Sequence, residues 1–533
     1  MSRQLKVFGW GYEGDGLDAA EEQDLLRTFG ERFGISEFDR RAAPDLGAVE
    51  VAAPRLAPPA SLDAVCSTDH QDRLSHCYGQ SYPDYVQMLE GDFTNAPDIV
   101  AWATSEADVT AVLDWAADAH AAVIPYGGGT SVVGGVEARV GDGFKGAVSL
   151  DLTGMDKVLE VDTTSLAARL QGGIRGPAME TALREHGLTM RHFPQSFEFA
   201  TLGGMIATRS GGHYATLYTH IDDFVESVRC VTPAGPVESR RLPGSGAGPS
   251  PDRLFIGSEG ALGIITEAWM RLRRRPTFRA SAAVTFASFE EAAAAVRAIS
   301  QAGLYPANVR LLDAMEARLN GFGDGKRSIV VLGFESADHP IEPAMARGLE
   351  LCADHGGDYD AEAARDPGSH MAGAAGAWRT AFIKMPHFRA PLVSVAAIHD
   401  TFETAITWDR LADFHAGIMD ATHKAIETVT GRPGYVSCRF THVYPDGPAP
   451  YFTFVGQGRH GALLEQWNEL KARVSDAVID LGGTITHHHA VGRDHMPWYE
   501  RQRPDLFGDA LGAAKATLDP AGVLNPGVLL APR

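Results

Sequence analysis

The chain has 533 residues, 44% of them hydrophobic, with 47 Lys and Arg against 68 Asp and Glu, a formal net charge of −21. That length predicts roughly two to four domains with ample core, and the acidic balance argues against nucleic acid as a partner and against electrostatic docking on an anionic bilayer. No apolar run reaches the roughly 18–20 residues of a membrane-spanning helix, and the start MSRQLKVFGWGYEGDG has no secretory apolar core nor the end LLAPR a peroxisomal address, so a cytoplasmic protein is expected.

Five cysteines (Cys66, Cys77, Cys230, Cys352, Cys438) lie far apart with no CxxC and read as reduced thiols, mostly in cores. Glycine is concentrated in PYGGGTSVVGG (125–135), LGGMIATRSGG (202–212), GSEGALG (257–263) and LNPG (524–527), where bare backbone can approach a ligand. Gly9, Gly11 and Gly14 match GxGxxG formally. They follow only the short LKVF run and lead into Asp-Gly rather than a helix, so they do not read as a dinucleotide turn. The 125–135 cluster lacks the Gly-Lys-Ser/Thr of a P-loop, and Val132 stands where a Rossmann turn wants glycine. No GxSxG elbow is present.

In chain order, Ser105 and Asp108 form a capping-box pattern ahead of Val109, Val112, Leu113 and Ala116, which predicts a helix. AAVIP then reads as a buried strand that delivers the first glycine cluster. Its Thr130 and Ser131 hydroxyls, beside bare N–H groups, suit a pyrophosphate without any lysine. VSLDL (148–152), KVLEVD (157–162) and AARLQGG (167–173) alternate like half-buried antiparallel strands. Pro177 opens a helix carrying Met179 and Leu183, with Gly187 as its stop. The expected fold is α+β.

RLRRRP (271–276) ends the glycine-rich region. ASAAVTF and SFEEAAAAVRAISQAG start a second strand–helix unit, capped by Ser288 and Glu291 and stopped by Gly303. Residues 356–378 are small and polar and read as a mobile loop or a gate.

Together with PYGGGTSVVGG, the segments PQSFEFATLGGMIATRSGG (194–212), GSEGALGIITEA (257–268) and LDPAGVLNPG (518–527) resemble the vanillyl-alcohol-oxidase type of FAD flavoprotein, in the same order. The resemblance implies a two-subdomain PCMH-type FAD-binding domain at 95–275 and an α/β cap domain with a mainly antiparallel sheet at 276–500. It also implies an N-terminal region (1–94) packed on the core and a C-terminal segment (501–533) returning to the FAD domain. Its pattern assigns to the cofactor Pro125, Gly127, Gly128, Gly129, Thr130, Ser131, Pro194, Gln195, Ser196, Glu198, Thr201, Gly204, Thr208, Arg209, Ser210, Glu259, Gly260, Leu262, Gly263 and Ile265.

Within that superfamily, D-2-hydroxy-acid dehydrogenases carry a segment like GG-T-x-GEHGxG. Here GGTITHHHAVGRDH (482–495) has three histidines instead. With GWGY (9–12), VRLLD (309–313), VSCRFTHVY (436–444) and PYFTF (450–454), it resembles the alkylglycerone-phosphate synthase family. That likeness implies exchange of the acyl chain of acyl-dihydroxyacetone phosphate for a fatty alcohol, forming an ether with no net redox. It carries over Arg310, Arg439, Tyr451, His487, His488 and His489: Tyr451 as proton donor and acceptor, the histidines as base and phosphate or carbonyl partners, the arginines as anion holders.

Plainer readings stand beside these. On a strand His487 and His489 could share a metal and His488 could not, though no metal is expected. Arg310 could pair with Asp313, Tyr451 could simply pack in a strand, and Glu198 could pair with Arg209. In GHYATLYTHIDDF (212–224) the family's lysines are missing, and Ala490 stands where the family has glycine, so the alkyl donor and the phosphate preference stay open. His213 and His220 lie near the expected flavin ring, and non-covalent FAD is favoured. An FAD-linked oxidase or dehydrogenase of a hydroxy acid or alcohol is the alternative activity. The expected partners are a lipid substrate with an anionic head group and a second copy of the chain, with room for peripheral membrane contact.

Overall fold

The computed structural model describes residues 5–218, 220–319, 323, 325–360 and 384–531. Its strands form four sheets. The first runs β1 (Cys66–Ser67), β2 (Ile99–Trp102), β4 (Ala147–Asp151), β3 (Ala122–Tyr126), with β2, β4 and β3 parallel. The helix Glu106–Ala119 makes the crossover from β2 to β3, as a parallel pair requires. This corrects the antiparallel reading of VSLDL: β4 is parallel to both neighbours and buried throughout. Its apolar-rich run belongs to a strand covered on both faces, not to an alternating one.

The second sheet is antiparallel, in the order β5 (Val158–Asp162), β6 (Ala167–Gln171), β10 (Ile264–Arg271), β8 (Val225–Thr232), β9 (Gly235–Glu238). A short pair joins β11 (Arg273–Arg274) to β7 (Leu188–Thr189). The third extended sheet is wholly antiparallel and six-stranded: β12 (Phe278–Phe286), β14 (Ser328–Ser336), β13 (Asn308–Leu312), β16 (Tyr435–Val443), β17 (Pro448–Gln457), β15 (Ala397–Glu403).

Two-residue periodicity divides that last sheet. Leu311, Phe402, Cys438, Phe440, Phe452 and Phe454 belong to one large core, which also takes Val296 and Ile299 from the helix Phe289–Gln301 and Ile418 and Ile426 from the helix Leu411–Thr430. The opposite face presents Arg310, Arg439, Tyr451, Thr453, His399 and Thr401 to a cavity. Cross-strand register aligns Leu312 with Arg439, Arg439 with Tyr451, and Tyr451 with Glu403. Residues far apart in sequence therefore stand in one row.

Local signals explain the element ends. Ser288 and Glu291 form a complete capping box, and Gly303 takes φ +69 just past the helix. Ser105 caps its helix as expected, but the Asp108 carboxylate turns away and accepts from the N–H and hydroxyl of Thr104. The helix Tyr82–Glu90 buries Tyr82, Tyr85 and Val86 in the core of the six-stranded sheet, and the Tyr82 hydroxyl donates to the Ala397 carbonyl. Near the C-terminus, the Val523 carbonyl accepts from Val123, and the Asn525 amide donates to the carbonyls of Gly135 and Glu259.

All five cysteines are free thiols, and all but Cys66 are buried. No helix among the described residues is long and apolar enough to cross a membrane. Most of the gate expected at 356–378 lies outside the described residues.

Candidate active site

A cavity of about 420 Å³ lies between the glycine-rich loops and the polar face of the six-stranded sheet. Its loop wall includes Pro125, Gly127, Gly128, Gly129, Thr130, Ser131, Pro194, Gln195, Ser196, Thr201, Gly204, Thr208, Ser210, Glu259, Gly260, Gly263 and Ile265. Three of the residues expected at the cofactor are not on it. Glu198 is exposed, Leu262 is packed in the core of the second sheet, and Arg209 points outward to bond Asp222 at 2.6 Å. Arg209 therefore pairs with Asp222, not with Glu198.

The loops form a cradle because backbone packs on backbone. A Cβ on Gly128 would fall 2.0 Å from the Phe199 carbonyl oxygen, and one on Gly260, at φ +74, would fall 2.5 Å from Pro125. Only glycine permits that closeness. What these loops turn to the cavity is largely backbone and small hydroxyls, with Gln195 and Glu259 and no lysine, a set that suits a pyrophosphate-linked dinucleotide. Glu259 closes one end: it accepts from the N–H groups of Val491 and Gly492 at 2.9 and 2.8 Å, and burial pushes its carboxyl up to about 7 against those bonds.

Across the cavity, Arg310 is buried in β13 and donates to His213 at 3.0 Å and to Asn308 at 3.2 Å. It makes no surface pair with Asp313, whose carboxylate instead accepts from the N–H groups of Glu316 and Cys438. Burial, and then the neighbouring Arg439, bring the Arg310 guanidinium down to about 9. Arg439 is ion-paired with Glu316, itself buried and bonded to Ser437 at 2.5 Å. The guanidinium also lies 3.9 Å from the centre of the Tyr451 ring. Tyr451 donates to Thr401 Oγ1 at 2.9 Å. Burial raises its phenol, and Arg439 pulls the other way.

The triplet is not a strand. Residues 487–489 follow a series of bends, so the expected alternation of His487 and His489 against His488 fails. His488 and His489 line the cavity, while His487 stands behind them, 3.0 Å from the Tyr444 hydroxyl and 3.1 Å from His488 Nδ1. The nitrogens that converge within 4.8 Å of one another belong to His442, His487 and His488. Burial lowers all three members of the triplet, His487 to about 4, against the opposing pull of Glu403, so they are neutral imidazoles at neutral pH. His442 reaches the cavity because a register shift between Phe440 and His442 breaks the alternation of β16 and turns consecutive residues inward.

Sequence reasoning missed Arg389, His399, Glu403, His442 and Lys471. Arg389 bonds Asp400 at 2.9 Å and lines the cavity. Lys471 enters from the helix Leu463–Asp480 and donates to the Thr401 carbonyl of the edge strand β15 at 3.1 Å. The alternation around His399, Thr401 and Glu403 was a usable signal. Nothing in the sequence marked Arg389. One arm of the cavity is apolar, with Leu25, Phe29, Met385, Phe388, Leu392 and Val455.

Comparison with known proteins accords with this geometry. Residues 97–239 match the family described as "FAD binding domain", and residues 275–529 match "FAD linked oxidases, C-terminal domain". The alkyldihydroxyacetonephosphate synthase of Trypanosoma brucei brucei is 29% identical over 568 residues, covering 99% of this chain and 89% of that one. The synthase of Dictyostelium discoideum is also 29% identical, over 87% of this chain and 78% of its own. A solved alkyldihydroxyacetonephosphate synthase structure superposes with a TM-score of 0.82 at 25% identity, covering 98% of each chain. The protein is thus an FAD-dependent enzyme: the chain belongs to the alkyldihydroxyacetonephosphate synthase family of the FAD-linked oxidases.

Proposed function

We propose that the protein is an alkyldihydroxyacetonephosphate synthase, replacing the acyl chain of acyl-dihydroxyacetone phosphate by a fatty alcohol. The observation that carries this reading is one cavity joining three chemistries: the flavin cradle, a buried Arg–Tyr–His face, and an apolar arm. A phospholipid-like substrate needs all three.

Bound FAD would supply a ring able to take up and return electron density while a C–O bond is exchanged without net oxidation. The side chains do the rest. Arg310, whose bonds here run to His213 and Asn308, is the favoured cation for the head-group phosphate. Arg439 is better suited to another task than the expected anion clamp, because Glu316 and the Tyr451 ring already engage it. It steadies the Tyr451 ring while the hydroxyl, backed by Thr401, gives and takes a proton. Neutral His488 and His489 are ready to accept the proton beside the carbonyl. The apolar arm along Phe29, Phe388 and Leu392 excludes water and takes the chain. In this reading residues 95–275 hold the cofactor, non-covalently, and 276–500 carry the substrate side.

The test is incubation of the yellow holoprotein with acyl-dihydroxyacetone phosphate and hexadecanol under anaerobic conditions. Alkyl-dihydroxyacetone phosphate and free fatty acid are expected in equal amounts. Absence of the ether, together with bleaching of the flavin by a hydroxy acid or alcohol, overturns the reading in favour of an oxidoreductase.

A further inference from the structure

The edge strand β15 ends at Glu403, whose side chain is wholly enclosed. Both carboxylate oxygens are engaged by four consecutive residues of another segment. The Thr486 hydroxyl donates at 2.5 Å, and the N–H groups of His487, His488 and His489 donate at 2.6, 3.1 and 2.9 Å. Such convergence of successive backbone donors is an anion nest, here occupied by a side chain of the same protein. The imidazoles of His488 and His489 leave this nest toward the cavity, and that of His487 stands behind them. His488 Nδ1 and His489 Nδ1 stay 3.4 and 3.8 Å from the carboxylate.

The nest fills two accepting oxygens, which a carboxylate supplies; a glutamine would keep one and turn its NH2 toward the His487 N–H. An enclosed carboxylate is costly to desolvate. A buried negative charge becomes useful where a positive charge must form beside it. Glu403 is also the cross-strand partner of Tyr451, so it joins the triplet to the tyrosine through one rigid sheet edge.

We propose that Glu403 is a positioning residue for ether formation, orienting the histidine triplet and holding the imidazolium that forms when His488 or His489 takes the substrate proton. The C–H bond beside the carbonyl breaks with its electron pair moving into the carbonyl; the proton rests on the imidazole and returns to carbon in the product, while the alcohol's hydroxyl proton leaves with the departing carboxylate, so the site ends each turnover neutral. Other groups act on the same rings. His220 and Arg209 face His487, and His220, His487 and His489 face His488. Lys471, Asp400 and Arg389 act on His489. Tyr444, His442 and Tyr451 complete the shell. Lys471 and Arg389 oppose a positive ring; Glu403 is the carboxylate in direct contact with the triplet's backbone.

This inference rests on the proposed ether-forming activity, so the wild-type holoenzyme is assayed first. If it makes no ether, that activity fails and not the role of Glu403. Given an active wild type, Glu403→Gln is expected to retain FAD and to lose at least about 30-fold in kcat. KM should stay within about threefold, and the acid limb of the kcat profile should move to lower pH, because the rings have lost the charge that holds a proton on them. Glu403→Asp, which keeps the charge on a shorter arm, should lose kcat yet keep the acid limb where the wild type has it. A Gln variant within threefold of wild type, or an acid limb that does not move, overturns the proposal. If the Gln variant does not fold, the Asp variant decides: wild-type kcat or a displaced limb in that variant overturns it equally.

Discussion

The Arg439 guanidinium lies 3.9 Å over the Tyr451 ring, and the two residues are direct cross-strand partners between β16 and β17. Backbone register therefore sets the contact, and Glu316 and Thr401 fix the outer ends of the pair. Removing the phenolic oxygen alone isolates its contribution. Tyr451→Phe keeps the ring, the cation above it and the FAD cradle. We expect kcat to fall by roughly 10²–10⁴, the range for a lost proton-transfer group, with flavin content unchanged. Activity within a few-fold of wild type would show that the hydroxyl moves no essential proton.

Glu316 balances Arg439 inside the protein, both side chains being almost fully enclosed. Glu316→Ala leaves an uncompensated buried guanidinium, which costs about 3–5 kcal/mol. Guanidinium chloride unfolding followed by tryptophan fluorescence should show the midpoint falling accordingly. Glu316→Ala together with Arg439→Met should recover much of the loss, since replacing both partners is far milder than stranding one. A double variant no more stable than the single one contradicts this account.

The low pKa of His487, brought to about 4 mainly by burial, links its protonation to stability. Its folded value lies below the unfolded one of about 6.5, so on acidification the unfolded chain takes the proton first. Its contribution therefore falls as pH drops from about 6.5 toward 4, by about 1.4 kcal/mol per pH unit. Buried carboxyls raised by burial, Asp84 to about 8 and Asp313 to about 7, act in the opposite direction across much of that range. The clean measurement is thus a difference. Wild type and His487→Gln, compared by urea unfolding at pH 7 and pH 5, should diverge, with the wild type losing more on acidification. Parallel pH dependences would mean that the ring has the same pKa folded as unfolded.

Gly128 tests the cradle without touching the chemistry. A methyl group there would sit 2.0 Å from the Phe199 carbonyl oxygen, and that backbone cannot move far because Ala200 and Thr201 line the same cavity. Gly128→Ala should weaken FAD by at least about tenfold, near 1.4 kcal/mol, and yield pale protein on purification. Absorbance at the flavin bands against total protein reads this directly. A full complement of tightly held flavin would show that the two loops can separate at little cost.

Much of the cavity's loop wall was legible in the sequence because it is built from contiguous loops. Where a glycine cluster bends, its neighbours bend with it, and 125–131, 194–196 and 259–265 each reach the cavity largely as units. The exceptions are informative. Arg209, at φ +53, turns its side chain out to Asp222, and Leu262 turns into the core. Motif position says that a residue is near the cofactor but not which way its side chain points.

The polar face of the six-stranded sheet shows the opposite case. Its residues come from β13, β15, β16 and β17 and from the bends at 487–489, and local sequence alone does not reveal how these segments align. Likeness to a family named Arg310, Arg439, Tyr451 and the triplet. It assigned them roles without their partners, so Glu316 on Arg439 and Glu403 on the triplet went unseen.

Composition, element signals and family likeness together set the class: an acidic, glycine-rich α+β flavoprotein whose capping and turn residues mark where elements begin and end. Those signals act over a few residues, and a few residues suffice to read them. The tertiary structure alone decided which charges meet. The Arg439–Glu316 pair and the nest around Glu403 each join segments separated by many tens of residues, and the register shift that admits His442 sits in the β16–β17 hairpin beside them. In a low-dielectric interior such long-range pairings, more than residue identity, decide whether a group is an anion holder, a base or a counter-charge.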